Sequence, residues 1–259
     1  DLSAGRDLHY GFINYTTALA SDRIFFNSDY HRTAFLGALP DFLNRFPDHR
    51  NRESIGQIAS KSSVLPLGLD LAALDRYRPR GVPMAGRRPL LLWNHRWEYD
   101  KCPGAFFDLL FGLLERSLEF DVVLLGERGR PEPDILAKAR RRLGDRIIHD
   151  GPVVDLGAYA EWLWRADILP VTSIQDFFGG SVVEAIYCGC HPILPRRLAY
   201  PEHLDDPGAF YDTPGEALDK LARLIESGCW ENPYPGRAAV GRYDWSNCRE
   251  AYDTALQPA

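Results

Sequence analysis

Short apolar runs alternate with amphipathic stretches along most of this 259-residue sequence. The apolar runs are rich in Val, Ile, Leu or Phe and lack a period of two, which is typical of strands buried on both faces of a sheet. The predicted strands are Arg23–Asn27, Ser63–Leu67, Pro89–Trp93, Asp121–Leu125, Arg146–His149, Asp167–Val171 and His191–Leu194. The predicted helices between them are Tyr10–Ala20, His31–Phe46, Gly104–Ser117, Glu132–Leu143, Asp155–Arg165, Gly180–Cys188 and Pro214–Ser227. This alternation predicts an α/β fold with a Rossmann-like, doubly wound parallel sheet.

The chain is predicted to divide near a segment in which Pro, Gly and Arg are frequent and no apolar period is present. Such a composition favours a linker, which we place over residues 66–88. Residues 1–65 then form the rear part of an N-terminal domain, and residues 89–242 form a nearly complete C-terminal Rossmann-like domain. Residues 243–259 are predicted to form a terminal helix that packs across the domain junction. Because the sequence begins with neither Met nor a strand, we expect it to be a piece of a longer chain.

Composition excludes few classes of function. The hydrophobic share of 45% and the charged share of 25% are ordinary for a globular protein. A formal net charge of −6 gives no global attraction to nucleic acid, although small Arg clusters leave a local phosphate or RNA contact open. The five cysteines lack metal-ligand spacing, which favours buried thiols in a reducing compartment. With no apolar run long enough to span a bilayer and no signal peptide, we expect a cytoplasmic protein without membrane association.

Candidate chemistry begins where the strand Pro89–Trp93 ends, because ligands of open α/β sheets lie outside the carboxyl ends of the strands. A dense polar run follows this strand: Asn94, His95, Arg96, Glu98, Tyr99, Asp100 and Lys101. Arg and Lys just before a helix suit a diphosphate, since guanidinium and ammonium groups add to the dipole and free amides of the helix start. The alternative is an ion-paired loop in which Glu98 and Asp100 neutralise the two cations.

A second polar segment follows the strand Asp167–Val171. It contains Asp176, a Phe-Phe-Gly-Gly turn and a predicted helix that includes Glu184. The two glycines allow the backbone to approach a ligand closely and expose amides at the helix start. Two carboxylates at one pocket can hold the vicinal hydroxyls of a sugar or ribose. The alternative is that Asp176 is an N-cap and Glu184 is exposed on the helix.

The stretch "DFFGGSVVEAIYCG" resembles the acid–seven residues–acid motif of retaining, GT-B-fold glycosyltransferases of family 4. This resemblance implies that Asp176 and its turn hold the donor sugar and that Glu184 holds the nucleotide ribose. It also implies that Arg96 and Lys101 grip the donor diphosphate, so that Arg96, Lys101 and Asp176 are the candidate catalytic residues. The residues implied to bind the nucleotide sugar are Asn94, His95, Arg96, Lys101, Gly151, Pro152, Val153, Asp176, Phe177, Phe178, Gly179, Gly180, Ser181 and Glu184.

Further stretches, among them "WNHRWEYDK", "VLPLGLDL" and "EAIYCGCHPILP", are similar to the tRNA-queuosine mannosyltransferase branch of that family. The resemblance implies transfer of mannose, with retention, from GDP-mannose to queuosine in tRNA. It implies no tightly bound cofactor, and because no Asp-x-Asp pair is visible we expect no metal. Two features depart from the family: Asp176 replaces the usual Glu, and the N-terminal His-Glu-Asn-Gln motif is absent from this sequence. Three alternatives stay open, namely a lipid or polysaccharide acceptor, a nucleotide-sugar epimerase, and a non-catalytic binder of nucleotide sugar or RNA.

Overall fold

The computed structural model describes residues 8–48, 50–80, 86–127 and 134–257. The chain forms two compact units, residues 1–67 and residues 68–259. Of the sequence predictions, residues 81–85 of the linker, residues 132 and 133 of one helix, and the ends of the chain lie outside the described residues. No helix within the described ranges is both long and apolar enough to cross a membrane.

The first unit contains three helices and a pair of parallel strands among its described residues. The strands are β1 (Ile24–Phe26) and β2 (Ser62–Val64), and the helices are α1 (Leu8–Ala20), α2 (Asp29–Leu43) and α3 (Glu53–Ser60). Helix α2 begins where the Ser28 hydroxyl accepts a hydrogen bond from the His31 amide at 3.0 Å, which satisfies one of the free amides of the first turn. Tyr15, Leu39, Leu43 and Ile58 form the buried core of this unit.

The second unit is built on a parallel sheet. Its strands are β3 (Leu90–Trp93), β4 (Asp121–Leu124), β5 (Ile147–Asp150), β6 (Ile168–Pro170), β7 (His191–Pro195) and β8 (Phe210–Tyr211). Among the described residues their order in the sheet is β5-β4-β3-β6-β7-β8, with Leu91 opposite Val122 on one side and Ile168 on the other. The chain therefore starts at the middle of the sheet, winds to one edge and returns to wind to the other. The predicted doubly wound parallel sheet is confirmed.

Helices cover both faces of this sheet. They are α4 (Leu71–Leu74), α5 (Pro103–Glu115), α6 (Asp134–Leu143), α7 (Leu156–Arg165), α8 (Gly180–Tyr187), α9 (Pro214–Ser227), α10 (Arg237–Val240) and α11 (Trp245–Leu256). One core cluster joins Leu90 and Leu92 to the buried sides of α7 and α8, and the other joins Leu91 and Trp93 to those of α5, α6 and α9. Successive residues of β3 thus point to opposite faces, and all four are buried, which explains its uninterrupted apolar sequence.

The segment between the two predicted domains is partly packed. Leu71 and Leu74 of α4 are buried in the core of the second unit, and the Leu69 amide donates to the Tyr243 carbonyl at 2.8 Å. The Asp244 carboxylate caps this region as well, because it accepts a hydrogen bond from the Ala72 amide at 2.8 Å. Residues 68–74 of the predicted linker therefore belong to the second unit.

Candidate functional site

The candidate site lies at the carboxyl edge of the sheet, beside β3 and β6. These two strands are neighbours in the sheet, and the chain leaves them in opposite directions. The loops that follow such a pair of strands diverge and leave a crevice, where ligands of open α/β sheets bind. The polar run after β3 and the Asp176 segment after β6 both belong to this edge.

Lys101 and Asp176 form the centre of the site. The Lys101 ammonium donates to Asp176 Oδ2 at 2.9 Å and to the Gln175 carbonyl at 3.2 Å. The Asp100 carboxylate lies 3.5 Å from the same ammonium. One ammonium thus has two carboxylates within 3.5 Å, and all three side chains are largely buried.

The segment that carries Lys101 is tied to the end of β6 by its backbone. The Thr172 hydroxyl donates to the Lys101 carbonyl at 2.9 Å, and the Ile174 amide donates to the Asp100 carbonyl at 2.8 Å. Between this segment and α5, Cys102 has a φ of +50°, a left-handed conformation, and Pro103 then begins the helix. These contacts fix Lys101 against the Asp176 segment.

The turn after Asp176 is held by buried groups. Asp176 accepts hydrogen bonds from the Tyr200 hydroxyl at 3.1 Å and from the Phe178 amide at 3.3 Å. The Phe178 carbonyl accepts a hydrogen bond of 2.6 Å from Nε2 of the buried His203, which is therefore protonated on that nitrogen. Gly179, with a φ of +87°, is the N-cap of α8. Asp176 is consequently not an N-cap, and no side chain caps the start of this helix.

Glu184 belongs to a second hydrogen-bond network on the same edge. Its Oε2 accepts a hydrogen bond from the Tyr159 hydroxyl at 2.8 Å. The Asn94 amide donates to the Tyr159 oxygen at 3.2 Å and to the Ser181 carbonyl at 2.8 Å. The end of β3, α7 and the first turn of α8 are thereby connected. Burial raises the pKa of Glu184, and the hydrogen bond from Tyr159 opposes that shift.

His95 lies beneath the site and is 3% exposed. Its Nδ1 is 3.1 Å from the Ser181 hydroxyl, and its ring packs edge-on against Trp93. Burial lowers the pKa of His95 to about 4, and the Lys101 ammonium acts in the same direction. The ring is therefore neutral near pH 7, which leaves Lys101 as the positive charge at this point.

Other predicted residues lie further out. Arg96 is exposed and forms an ion pair with Glu98 at 3.0 Å, so its guanidinium is not joined to the Lys101–Asp176 pair. Gly151 follows β5, where its amide donates to the Leu124 carbonyl at 2.9 Å; Pro152 is exposed and Val153 packs against the core. Phe177 is half-buried, whereas Phe178 is buried against His203. The ion-paired loop that the sequence left open is thus observed for both cations: Arg96 pairs with Glu98, and Lys101 pairs with Asp100 at 3.5 Å.

Sequence reasoning missed the two tyrosines that hold the acids. Tyr159 and Tyr200 are separated from Glu184 and Asp176 by 25 and 24 residues, respectively. Tyr159 offered a signal, because it lies in the first turns of a helix that begins just after a strand, at the carboxyl edge of the sheet. Tyr200 offered none, since it lies in a short 3₁₀ turn without a periodic pattern.

The site combines an ammonium, three acids (Asp100, Asp176 and Glu184) and an uncapped helix start. Amides at a helix start and a nearby ammonium attract phosphate, while carboxylates accept hydrogen bonds from hydroxyls. A ligand that carries both phosphates and sugar hydroxyls matches these groups. Within the described residues no cluster of three or more His, Cys, Asp or Glu could hold a metal ion. The absence of a metal stays a prediction.

Comparison with known proteins relates this chain to one family. A family model described as the N-terminal part of tRNA-queuosine alpha-mannosyltransferase matches residues 2–69. A tRNA-queuosine alpha-mannosyltransferase of Drosophila melanogaster is 33% identical over 202 residues, which are 76% of this chain and 53% of that protein. The chain thus spans about half the length of this curated relative.

Solved glycosyltransferase structures share the fold. Sucrose-phosphate synthase from Thermosynechococcus elongatus is similar with a TM-score of 0.72 and 16% identity over 98% of this chain and 62% of its own. An Anabaena protein, HepE, solved in complex with UDP and glucose, gives a TM-score of 0.61 at 16% identity over 96% of this chain and 76% of its own. These structures confirm the predicted GT-B fold.

Proposed function

Because the chain belongs to the tRNA-queuosine alpha-mannosyltransferase family and has the GT-B fold, we propose that it provides the nucleotide-sugar site of a retaining mannosyltransferase. The donor is GDP-mannose and the acceptor is queuosine in tRNA. The observation that carries the proposal is the placement of Lys101, Asp176 and Glu184 at the crevice between β3 and β6. Any nucleotide sugar held there would meet a cation, hydroxyl acceptors and free amides within one site.

Lys101 and the start of α8 would bind the diphosphate. The ammonium already has two carboxylates around it, so an entering diphosphate must compete with Asp176 and Asp100 for the same charge. The amides at Gly180 and Ser181, at the uncapped helix start, would offset that competition. As the bond to the sugar breaks, negative charge grows on the departing diphosphate, and a fixed ammonium stabilises this charge without reorganisation.

Arg96 would bind the diphosphate by leaving the Glu98 carboxylate and pairing with a phosphate instead. Its present partner, Glu98, is about half exposed, and exposed ion pairs contribute only about 0–1 kcal/mol. Moving the guanidinium from Glu98 to a phosphate therefore costs little, while the planar fork can bind two phosphate oxygens. Asp176 would hold the sugar and Glu184 the ribose. No covalent intermediate on the protein is required, since catalysis by these groups is electrostatic.

The tRNA acceptor rests on the family. The arginine-rich helix α6 offers little support, because two of its three arginines are paired within the protein: Arg140 with Asp150 at 2.7 Å and Arg142 with Glu115 at 3.2 Å. Arg146, just after this helix, pairs with Glu119 at 2.9 Å. Paired guanidinium groups on the surface attract RNA phosphates less than free ones do. A cytoplasmic location follows from the same proposal and stays an expectation.

Calorimetric titration of this chain with GDP, UDP and ADP tests the donor site. We expect binding of GDP, selectivity over the other two, and a loss of affinity in Lys101→Ala and Arg96→Ala. Absence of GDP binding, or equal binding of all three nucleotides, would contradict the proposal. The transfer step is tested with the full-length protein, queuosine-containing tRNA and labelled GDP-mannose; label in the tRNA supports transfer, and GDP binding without label leaves only the nucleotide-binding part standing.

A further inference from the structure

We propose that Tyr159 is a positioning residue: its hydroxyl holds the Glu184 carboxylate in the orientation that accepts the ribose hydroxyls of the donor. This inference deepens the proposed function and rests on it. Tyr159 does not need to touch the ligand. Its task is to fix a carboxylate that does, and to keep that carboxylate ionised in a buried position.

The two groups that terminate this network, the Ser181 carbonyl and the Glu184 carboxylate, determine which atom donates in each of its hydrogen bonds. The Ser181 carbonyl can only accept, so the Asn94 group that lies 2.8 Å from it must be the amide nitrogen. The same nitrogen reaches the Tyr159 oxygen, which must therefore accept from it. The Tyr159 proton is then free to point to Glu184, whose carboxylate can also only accept, at 2.8 Å. The chain of donors runs one way, from Asn94 through Tyr159 to Glu184.

This chain leaves Glu184 with acceptor capacity. A carboxylate has about four lone-pair positions, and Tyr159 occupies one of them. Two vicinal hydroxyls can still bind the carboxylate, provided that it does not rotate. The hydrogen bond from Tyr159 restrains that rotation, because the partly buried ring of Tyr159 packs against the core of the unit.

The surroundings of Glu184 make the hydrogen bond important for its charge. Burial raises the pKa of Glu184, which favours the neutral acid, whereas the Tyr159 hydrogen bond favours the carboxylate. The titratable groups that interact with it are Tyr159 from α7 and Cys188, the C-cap of α8. Burial raises the pKa of both, so both are neutral near pH 7. Replacement of Tyr159 by Phe removes this hydrogen bond and should therefore raise the pKa of Glu184 further.

The test compares GDP with 2′,3′-dideoxy-GDP, which lacks both ribose hydroxyls, by calorimetry over a range of pH. We expect the wild-type protein to prefer GDP and Tyr159→Phe to reduce that preference about tenfold, the equivalent of about 1.4 kcal/mol. The preference requires ionised Glu184, so it is lost as the pH falls through the pKa of this acid. In Tyr159→Phe this loss should occur at a higher pH than in the wild type. A residue with a merely structural role would not move the pH midpoint.

The matched control is Tyr187→Phe, which removes another tyrosine hydroxyl bound to a carboxylate, Asp75, at 3.1 Å. This control should keep the wild-type preference and midpoint. In a Glu184→Gln background, Tyr159→Phe should cause no further loss of preference, because the two changes remove one coupled unit. If the wild type prefers GDP and Tyr159→Phe does so equally, the inference is wrong although the proposed function stands. If the wild type binds neither nucleotide, the proposed function fails and the inference with it.

Discussion

Replacement of Lys101 by Met tests whether the cation at the centre of the site is coupled to its two acids. Methionine keeps most of the length of the side chain and removes its charge, so packing changes little. The ammonium lies 2.9 Å from Asp176 and 3.5 Å from Asp100, so the substitution leaves both carboxylates without this positive charge. We expect the folded protein to lose stability, because two like charges stay in a largely buried position.

The size of the loss follows from exposure. The side chains of Lys101, Asp100 and Asp176 are 12%, 16% and 14% exposed. Breaking a fully buried pair costs about 3–5 kcal/mol, and exposed pairs contribute about 0–1 kcal/mol. Between these limits we expect Lys101→Met to cost about 2 kcal/mol. Arg96→Met is the matched control: Arg96 and Glu98 are 66% and 50% exposed, so it should cost at most about 0.5 kcal/mol.

Urea denaturation of four proteins measures the coupling: the wild type, Lys101→Met, Asp176→Asn and the double variant. Since Asp176→Asn removes one of the stranded charges, the double variant should be more stable than the sum of the single losses, by about 1–2 kcal/mol. Equal losses for Lys101→Met and Arg96→Met would refute the reasoning, as would strict additivity in the cycle. Either result would mean that the contact of 2.9 Å stores no interaction energy.

Three further predictions concern stability. Asp167 is buried, and the Arg87 guanidinium donates to it at 2.6 Å, so Asp167→Asn should cost about 3 kcal/mol in urea, and a loss below 1 kcal/mol would contradict the buried pair. Gly179→Ala should cost about 2 kcal/mol, because the residue has a φ of +87° and its Cβ would lie 2.9 Å from the Tyr200 ring; an unchanged melting temperature would be evidence against this geometry. The pKa of His95 is about 4 when folded against 6.5 when unfolded, so the unfolded chain binds a proton that the folded protein excludes. Stability should fall by about 3 kcal/mol from pH 6.5 to 4, and less in His95→Gln; equal falls would be inconsistent with a neutral, buried ring.

The hydrophobic pattern predicted the central sheet well because its strands are buried on both faces. Leu90 to Trp93 are all buried, so no polar residue interrupts the run, and the predicted strand begins one residue early. The same reasoning could not find β8, which has two residues, or α3, whose eight residues include a glycine and four polar side chains. Elements this short are specified by their packing partners rather than by a period in the sequence.

The expectation that ligands bind at the carboxyl ends of parallel strands located much of the candidate site. Strand order places the loops after β3 and β6 side by side, so a cation from one loop and an acid from the other meet. Which cation meets the acid was not readable from the sequence. A 3₁₀ turn at Tyr99–Lys101 and the left-handed Cys102 direct Lys101 inward, while Arg96, which precedes that turn, stays exposed. Side-chain direction in an irregular loop depends on such turns, and they leave little trace in residue type.

Buried polar atoms without a hydrogen-bond partner, which lower stability, lie at the same edge of the sheet. Among the described residues, three buried side-chain polar atoms that follow β3 have no hydrogen-bond partner: Asn94 Oδ1, His95 Nε2 and Asp100 Oδ1. Each unsatisfied group costs about 1–3 kcal/mol, and apolar residues of similar shape would avoid that cost. A sequence shaped by folding alone would not gather such groups beside an ammonium and two acids. Their concentration at one crevice is the pattern expected where binding, rather than packing, determines the residues.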